Sequence, residues 1–439
     1  MNKKTENKAV SPWQWVPCLY FAQGIPYVVV MSVAVILFKR MGMSNTDIAL
    51  YTSGLNLPWV IKPLWSPLVD LLKTKRWWIV VMQILVGAGL AGIALTIQGP
   101  LAFRYCLAFM WLLAFSSATH DIAADGFYML GLNEKKQAYF VGIRNTFYRF
   151  AVIFGQGILV MFAGWLEQRY AREMPETAAI PQAWSLTFYL LTILFALLFV
   201  YHYLFLPHPR RDTCTLPPQQ ASAGRVFKEF LGTFTSFFQK KHIVSALIFI
   251  LLYRFAEAQL VKITSPFLLD TPATGGLALS TAEVGFIYGT IGVIALTIGG
   301  IVGGIAMARR GLKSCLWTMT IAMNLPNIVY LYLSFARPES IGIISGCVAI
   351  EQFGYGFGFT SLTYFMMLFG KHQTAHYAIC TGFMALGLML PGMISGWIEE
   401  SIGYRAFFVW IMLCTIPSFW ATHLVRKNLT DNHSDNSSR

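Results

Sequence analysis

The chain has 439 residues, of which 56% are hydrophobic and only 12% charged. Soluble proteins carry about 25% charged residues, so this composition excludes an ordinary soluble domain and points to a bilayer as solvent. The net charge of +13 would suggest a nucleic-acid partner in a soluble protein. In a membrane chain it reflects lysine and arginine in cytoplasmic loops instead, and no nucleic-acid partner is expected. The seven cysteines (Cys18, Cys106, Cys214, Cys315, Cys347, Cys380, Cys414) are scattered, with no CxxC spacing, which argues against a zinc site or a disulfide framework.

Apolar stretches long enough to cross the roughly 30 Å hydrocarbon core recur along the whole chain. They predict spans at 13–38, 46–71, 77–98, 101–131, 138–166, 184–206, 243–269, 281–307, 313–335, 340–369, 374–398 and 404–425. The first run follows twelve polar residues and is too long for a signal-peptide core, so it reads as a retained span. Twelve spans put both termini on one side. The termini and the even-numbered connections hold most of the Lys and Arg, among them Lys73, Lys75, Arg76, Lys135, Lys136, Arg309 and Arg310. The odd-numbered connections hold few, among them Lys39, Arg40, Arg169 and Arg405. Both ends are therefore expected in the cytoplasm.

The longest connection, 207–241, divides the spans six and six. It predicts an N-terminal bundle over 1–206, a cytoplasmic linker, a C-terminal bundle over 242–425 and a disordered tail over 426–439. Within the linker, Phe227, Phe230, Leu231 and Phe234 recur at helical spacing, which suits an interfacial helix or an extension of the seventh span. Tryptophans near the span ends (Trp13, Trp15, Trp77, Trp78, Trp165, Trp397) read as interfacial anchors.

The two halves echo one another. Gly164-Trp165-Leu166-Glu167 ends the fifth span and Gly396-Trp397-Ile398-Glu399 ends the eleventh. At nearly the same offset Gly155 matches Gly387, Phe21-Ala22-Gln23-Gly24 matches Phe255-Ala256-Glu257-Ala258, and Asp121 matches Glu351. A six-span offset preserves orientation, which is the parallel repeat of a two-bundle transporter with its site near the midplane between the halves.

Ionisable groups inside the spans carry the functional reading. An acid near the bilayer centre costs about 2.5–3.5 kcal/mol, yet the fourth span holds His120, Asp121 and Asp125 in the stretch Ser116–Gly126. Asp121 and Asp125 are four apart and share a helix face. Two acids in one low-dielectric site do not both ionise cheaply, so they are candidates to carry a proton, with His120 as a relay; the alternative is neutralisation by Arg149 or Lys62. Arg149 offers a planar fork for an anionic substrate group, whereas Arg144 is read as snorkelling. In the second half Arg254 and Glu257 share a face, as a local ion pair or a binding site, with Lys262 beyond them. Glu351 precedes Gly354, Gly356 and Gly358, which permit close helix approach, and is a candidate for proton coupling. No nucleophile motif, phosphate loop or metal cluster is recognisable, and no cofactor is expected.

Several stretches resemble the major facilitator transporters, and within them the AmpG-like muropeptide permeases and acetyl-CoA transporters. Ser66-Pro67-Leu68-Val69-Asp70 with Lys73, Lys75 and Arg76 looks like the major facilitator loop signature without its leading Gly, and Gly304 to Gly311, with Ala308 at the usual acid and Arg309 after it, looks like the second copy. Asp70, Lys62 and Arg309 are thereby gating candidates. The branch resemblance rests on Phe21–Pro26, Leu57–Asp70, Ser117–Asp125 (where His120 replaces the usual Gln), Asn145–Arg149, Leu252–Glu257 and Glu351–Gly356. It implies an all-α membrane protein of twelve helices in two six-helix bundles. The implied activity is a proton-driven inner-membrane importer of anhydro-muropeptides or related amino-sugar fragments. Arg149, Arg254, Glu257, Lys262 and Gln23 would bind substrate, and the protein would act as a monomer whose partners are a small solute, protons and lipid. An acyl-CoA-like or siderophore cargo is the alternative. A membrane acyltransferase using His120 and Asp121 is the remote one, against which the twelve spans and internal repeat argue.

Overall fold

The computed structural model describes residues 11–209, 212, 232, 234–370 and 374–437. These are helical almost throughout. Eight helical stretches are each long and apolar enough to cross a bilayer. Two of them are bent at glycines in left-handed backbone, Gly311 (φ 72) and Gly403 (φ 76), and so hold two rods each. In chain order the rods are α1 Pro12–Arg40, α2 45–72, α3 Lys75–Thr96, α4 Ala102–Gly131, α5 Lys135–Tyr170, α6 Glu176–Phe205, α7 Ile243–Leu269, α8 281–310, α9 312–336, α10 Ile341–Phe369, α11 374–402 and α12 404–437. The predicted twelve spans and all-α class are both present. The last rod continues past Arg426, where the sequence suggests an unstructured tail; each added turn there needs only the helix's own i→i−4 bonds. The predicted interfacial helix lies outside the described residues except for Phe234, which packs on the hydrophobic core of α7–α12.

Local chemistry explains three of the helix starts. Ser44 and Thr74 accept from the backbone N–H of Asp47 and Trp77, and Ser280 forms a capping box with Glu283. The outer surface is apolar, with Leu95, Leu197, Val244 and Trp397 turned outward as lipid requires. Trp13, Trp77, Trp165 and Trp397 are exposed near rod ends, as expected of anchors. Trp15 is not: it is buried against Phe127, so its indole serves core packing.

The described residues form two compact units. The first draws on Met1–Val28, Trp65–Val152 and Ser185–Ala221, and the second on Val29–Leu64, Ile153–Trp184 and Ser222–Arg439. A core of Trp15, Leu19, Ile79, Ala123 and Phe127 fills the first. In the second, Phe249, Tyr253, Leu316, Met319, Leu362 and Phe365 do the same. There α10 lies against α8 and α9 at backbone distance: a Cβ on Gly354 would sit 2.1 Å from the Ala322 carbonyl oxygen, and one on Gly356 2.0 Å from that of Leu296. Only glycine permits that approach.

Candidate functional site

In the first unit the polar stretch of α4 meets α1 and α5. The Tyr20 hydroxyl donates to Asp125 Oδ1 at 3.0 Å, and Arg144 Nη1 donates to the same hydroxyl at 2.9 Å and to Asp125 Oδ1 at 3.3 Å. The Arg144 guanidinium also lies over the rings of Tyr20 and Tyr128, 5.1 and 4.9 Å from their centroids. Arg144 is therefore not a snorkelling side chain. It is the counter-ion of Asp125, placed there by the adjoining rings of Tyr20 and Tyr128. One turn along, Tyr148 lies within electrostatic reach of Tyr27, Asp121, Arg149 and Asp125. α1 is closely seated on α5, where Gly24 faces Tyr148 and Ala151, and Gln23 beside it in sequence is buried.

His120 faces elsewhere. It is buried toward α3 and α6, where Gln83 lies 3.2 Å from its Nε2 and also bonds His202 Nδ1. A position next to Asp121 in sequence is about 100° away around a helix, so adjacency does not give a shared face. The two histidines bridged by one amide form a buried polar seam that the spacing of residues did not signal.

In the second unit α7 is interrupted in its middle: its first half ends at Leu252 and its second begins at Phe255. Arg254 stands at this break, with φ −108° and ψ 22°. Its guanidinium donates to the Tyr355 hydroxyl and lies 5.2 and 4.9 Å from the Tyr355 and Phe359 ring centroids. No salt bridge joins Arg254 to Glu257 among the described residues, although the guanidinium stays within electrostatic reach of that carboxyl while it lies on the aromatic faces of α10. Glu257 is 3% exposed, and its Oε2 finds no donor among the described residues. Glu351 is 1% exposed; its Oε2 accepts from the Tyr330 hydroxyl at 3.0 Å and from Gln352 Nε2 at 2.9 Å. The two carboxyls are close enough to interact electrostatically, with Tyr288 and Tyr330 feeling both. Lys262, 2% exposed, lies further along α7.

Lys62 belongs to α2 in the second unit, Arg309 is exposed at the end of α8 beside Gly311, and the side chain of Asp70 lies outside what is described. The described residues contain no cluster of metal-ligating side chains.

Residues 18–377 match the sequence model of the Major Facilitator Superfamily. The chain belongs to that superfamily. Like its fellow members of the Major Facilitator Superfamily it is a transporter and not an enzyme, which removes the acyltransferase alternative. Among curated relatives, it is 25% identical to putative transporter AmpG 4 of Rickettsia conorii, covering 92% of this chain and 93% of that one. It is 24% identical to the anhydromuropeptide permease of Escherichia coli K12, covering 94% of this chain and 79% of that one. Solved major facilitator structures share the fold. The nucleoside transporter NupG superposes with a TM-score of 0.68 at 15% identity over 94% of this chain and 98% of that one. A D-xylose–proton symporter gives 0.68 at 13% identity over 94% and 96%.

Proposed function

We propose that this chain is a proton-coupled importer of anhydro-muropeptides or related amino-sugar cell-wall fragments, working by alternating access of the bundles 1–206 and 242–425 in the inner membrane. The observation that carries the coupling is the buried pair Glu257 and Glu351. Two carboxyls that interact electrostatically, with no salt bridge to either among the described residues, are costly to ionise together in a low-dielectric interior. Taking up a proton relieves that cost, and releasing it needs a change of surroundings, which is what an alternating carrier provides. Asp121 and Asp125 form the corresponding acids of the first half, with Asp125 held by Arg144 and Tyr20. His120, turned toward Gln83 and His202, serves as a polar joint between helices in this reading rather than as a relay.

The cargo rests on the names of the relatives and on the chemistry of the two clusters. Arginines laid on aromatic rings, Arg144 on Tyr20 and Tyr128 and Arg254 on Tyr355 and Phe359, present donors and flat apolar faces together. That combination suits a sugar ring bearing a lactyl or peptide carboxylate. Arg149, Lys262 and Gln23 supply further donors.

The test is uptake of labelled anhydro-muramyl peptide into proteoliposomes under an imposed pH gradient. Glu257→Gln with Glu351→Gln is expected to abolish gradient-driven accumulation while leaving exchange of bound solute. Retention of full accumulation by that double variant overturns the coupling. Displacement of the label by acyl-CoA but not by anhydro-muramyl sugars overturns the cargo.

A further inference from the structure

The repeated Gly-Trp-x-Glu segments have a role that the binding clusters do not use. Gly164 of α5 is pressed on the first turn of α8: a Cβ there would lie 2.3 Å from the Ala282 nitrogen. Gly396 of α11 is pressed in the same way on the first turn of α2, with the Asn45 carbonyl oxygen 2.0 Å from its Cβ position. Each glutamate, one turn further on, bonds the helix start that its glycine touches. Glu167 accepts from Thr281 Oγ1 at 2.7 Å, and Glu399 accepts from Asn45 Nδ2 at 2.7 Å. The second unit thus holds two seams of the same design, each joining a rod from one half of the sequence to a rod from the other.

The seams differ in charge. Glu167 is fully served: Arg40 Nε lies 3.0 Å from Oε2 and Trp184 Nε1 donates to Oε1 at 2.7 Å. At the other seam the cation is taken. Lys39 Nζ lies 2.7 Å from Asp270 Oδ1 and 2.8 Å from Asn45 Oδ1, and the Tyr404 hydroxyl donates to Asp270 Oδ2 at 2.6 Å. Asn45 Nδ2 completes the ring by donating to the Tyr404 hydroxyl at 2.8 Å. Of the other charges in the neighbourhood, Glu400 accepts from Thr46, Arg337 donates to the Pro272 carbonyl and Arg405 to that of Ser334. Glu399 is 4% exposed. Among the described residues it has no salt-bridge partner; Asp270 and Glu400 act on it as like charges, and Lys39, bonded to Asp270, attracts it from further off.

We infer that Glu399 is a proton-binding site of the seam: closure of this face takes up a proton on Glu399, and opening releases it. Ionised and enclosed, Glu399 would oppose Asp270 and Glu400 with Lys39 already engaged. Protonated, it keeps the bond from Asn45 and closes without that repulsion. Acid therefore favours the closed seam and alkali the open one. The inference rests on the alternating-access reading proposed above, but its readout needs neither substrate nor uptake, so a wrong cargo would not affect it.

Spin labels at Glu173→Cys and Glu339→Cys, both exposed positions of the second unit, in full-length protein free of native cysteines, report the opening as a distance distribution. From about pH 3 to about pH 9, which brackets both ordinary and buried carboxyls in folded proteins, the closed-to-open ratio should fall by up to about tenfold per pH unit in one interval. In Glu399→Gln it should change less than about twofold over the whole range and stay at the acid-side value. Glu167→Gln, which breaks the ion-paired seam, should open more at every pH yet keep the same pH interval. An unchanged interval in Glu399→Gln overturns the inference, as does loss of the pH response in Glu167→Gln with Glu399 intact. Glu399→Asp guards against misfolding: it restores a pH response if the carboxyl is the titrating group, and a flat response from the folded aspartate variant also overturns it.

Discussion

Arg144 lies over two phenol rings that pack edge to face on one another, with Asp125 at the end of its guanidinium fork. Each ring contact contributes about 0.5–2 kcal/mol, and lysine offers neither the planar fork nor the stacking surface. Arg144→Lys is therefore expected to lower uptake by roughly tenfold, measured as initial rate in proteoliposomes, although the charge is kept. Tyr20→Phe removes the hydroxyl that bridges Arg144 and Asp125 and should lower stability in a detergent melt by about 1 kcal/mol. A variant that melts like wild type would show that the bridge carries no weight. The acid itself was legible in the sequence, because a charge inside an apolar run needs a reason. Its partner was not. Helical spacing ranks neighbours on one rod, whereas Tyr20 is 105 residues away and Arg144 reaches Asp125 only because α4 and α5 both pack on α1. The same limit explains His120, whose neighbour in sequence is not its neighbour in space.

At the level of the element, the glycines of α10 show how a short pattern can be read correctly without its depth. Gly354, Gly356 and Gly358 announced a close helix contact, and the contact is at backbone distance. Gly356→Ala places a methyl 2.0 Å from the Leu296 carbonyl oxygen and should cost about 1–3 kcal/mol through forced displacement. Gly346→Ala is the control, since its Cβ position meets nothing within 4 Å, and alanine there is neutral or gains up to about 1 kcal/mol from helix propensity. Thermal unfolding of the two variants side by side checks the pair; equal midpoints would mean that α10 can back away from α8. The break in α7 at Arg254 was not legible. No proline or glycine marks it, and what holds Arg254 out of the helical path is the aromatic face of α10. The wide turns at Val29–Val33, Ile153–Ile158 and Gly285–Gly292 are equally silent in the sequence, because apolar periodicity averages over one extra residue per turn.

For the whole molecule, the count of spans and the internal repeat were the strongest signals, since both sum weak preferences over hundreds of residues. The sidedness follows from the distribution of Lys and Arg and is open to direct measurement. In intact cells a membrane-impermeant thiol reagent should label Glu173→Cys from outside, whereas Arg309→Cys should react only after permeabilisation. The reverse pattern would invert the topology. What the repeat did not reveal is the work its Gly-Trp-x-Glu copies perform, because a motif match gives the correspondence of two positions and not the helix start each one touches.

Lys39 and Arg40 are consecutive residues at the end of α1, and one serves Asp270 while the other serves Glu167. Two fastenings that are far apart in their partners are thus anchored on a single peptide unit. Rotation of that one helix terminus strains both at once, so they are bound to slip together and not in sequence. One extra residue inserted between the pair would turn their side chains by about 100° relative to each other, leaving only one of the two fastenings able to hold.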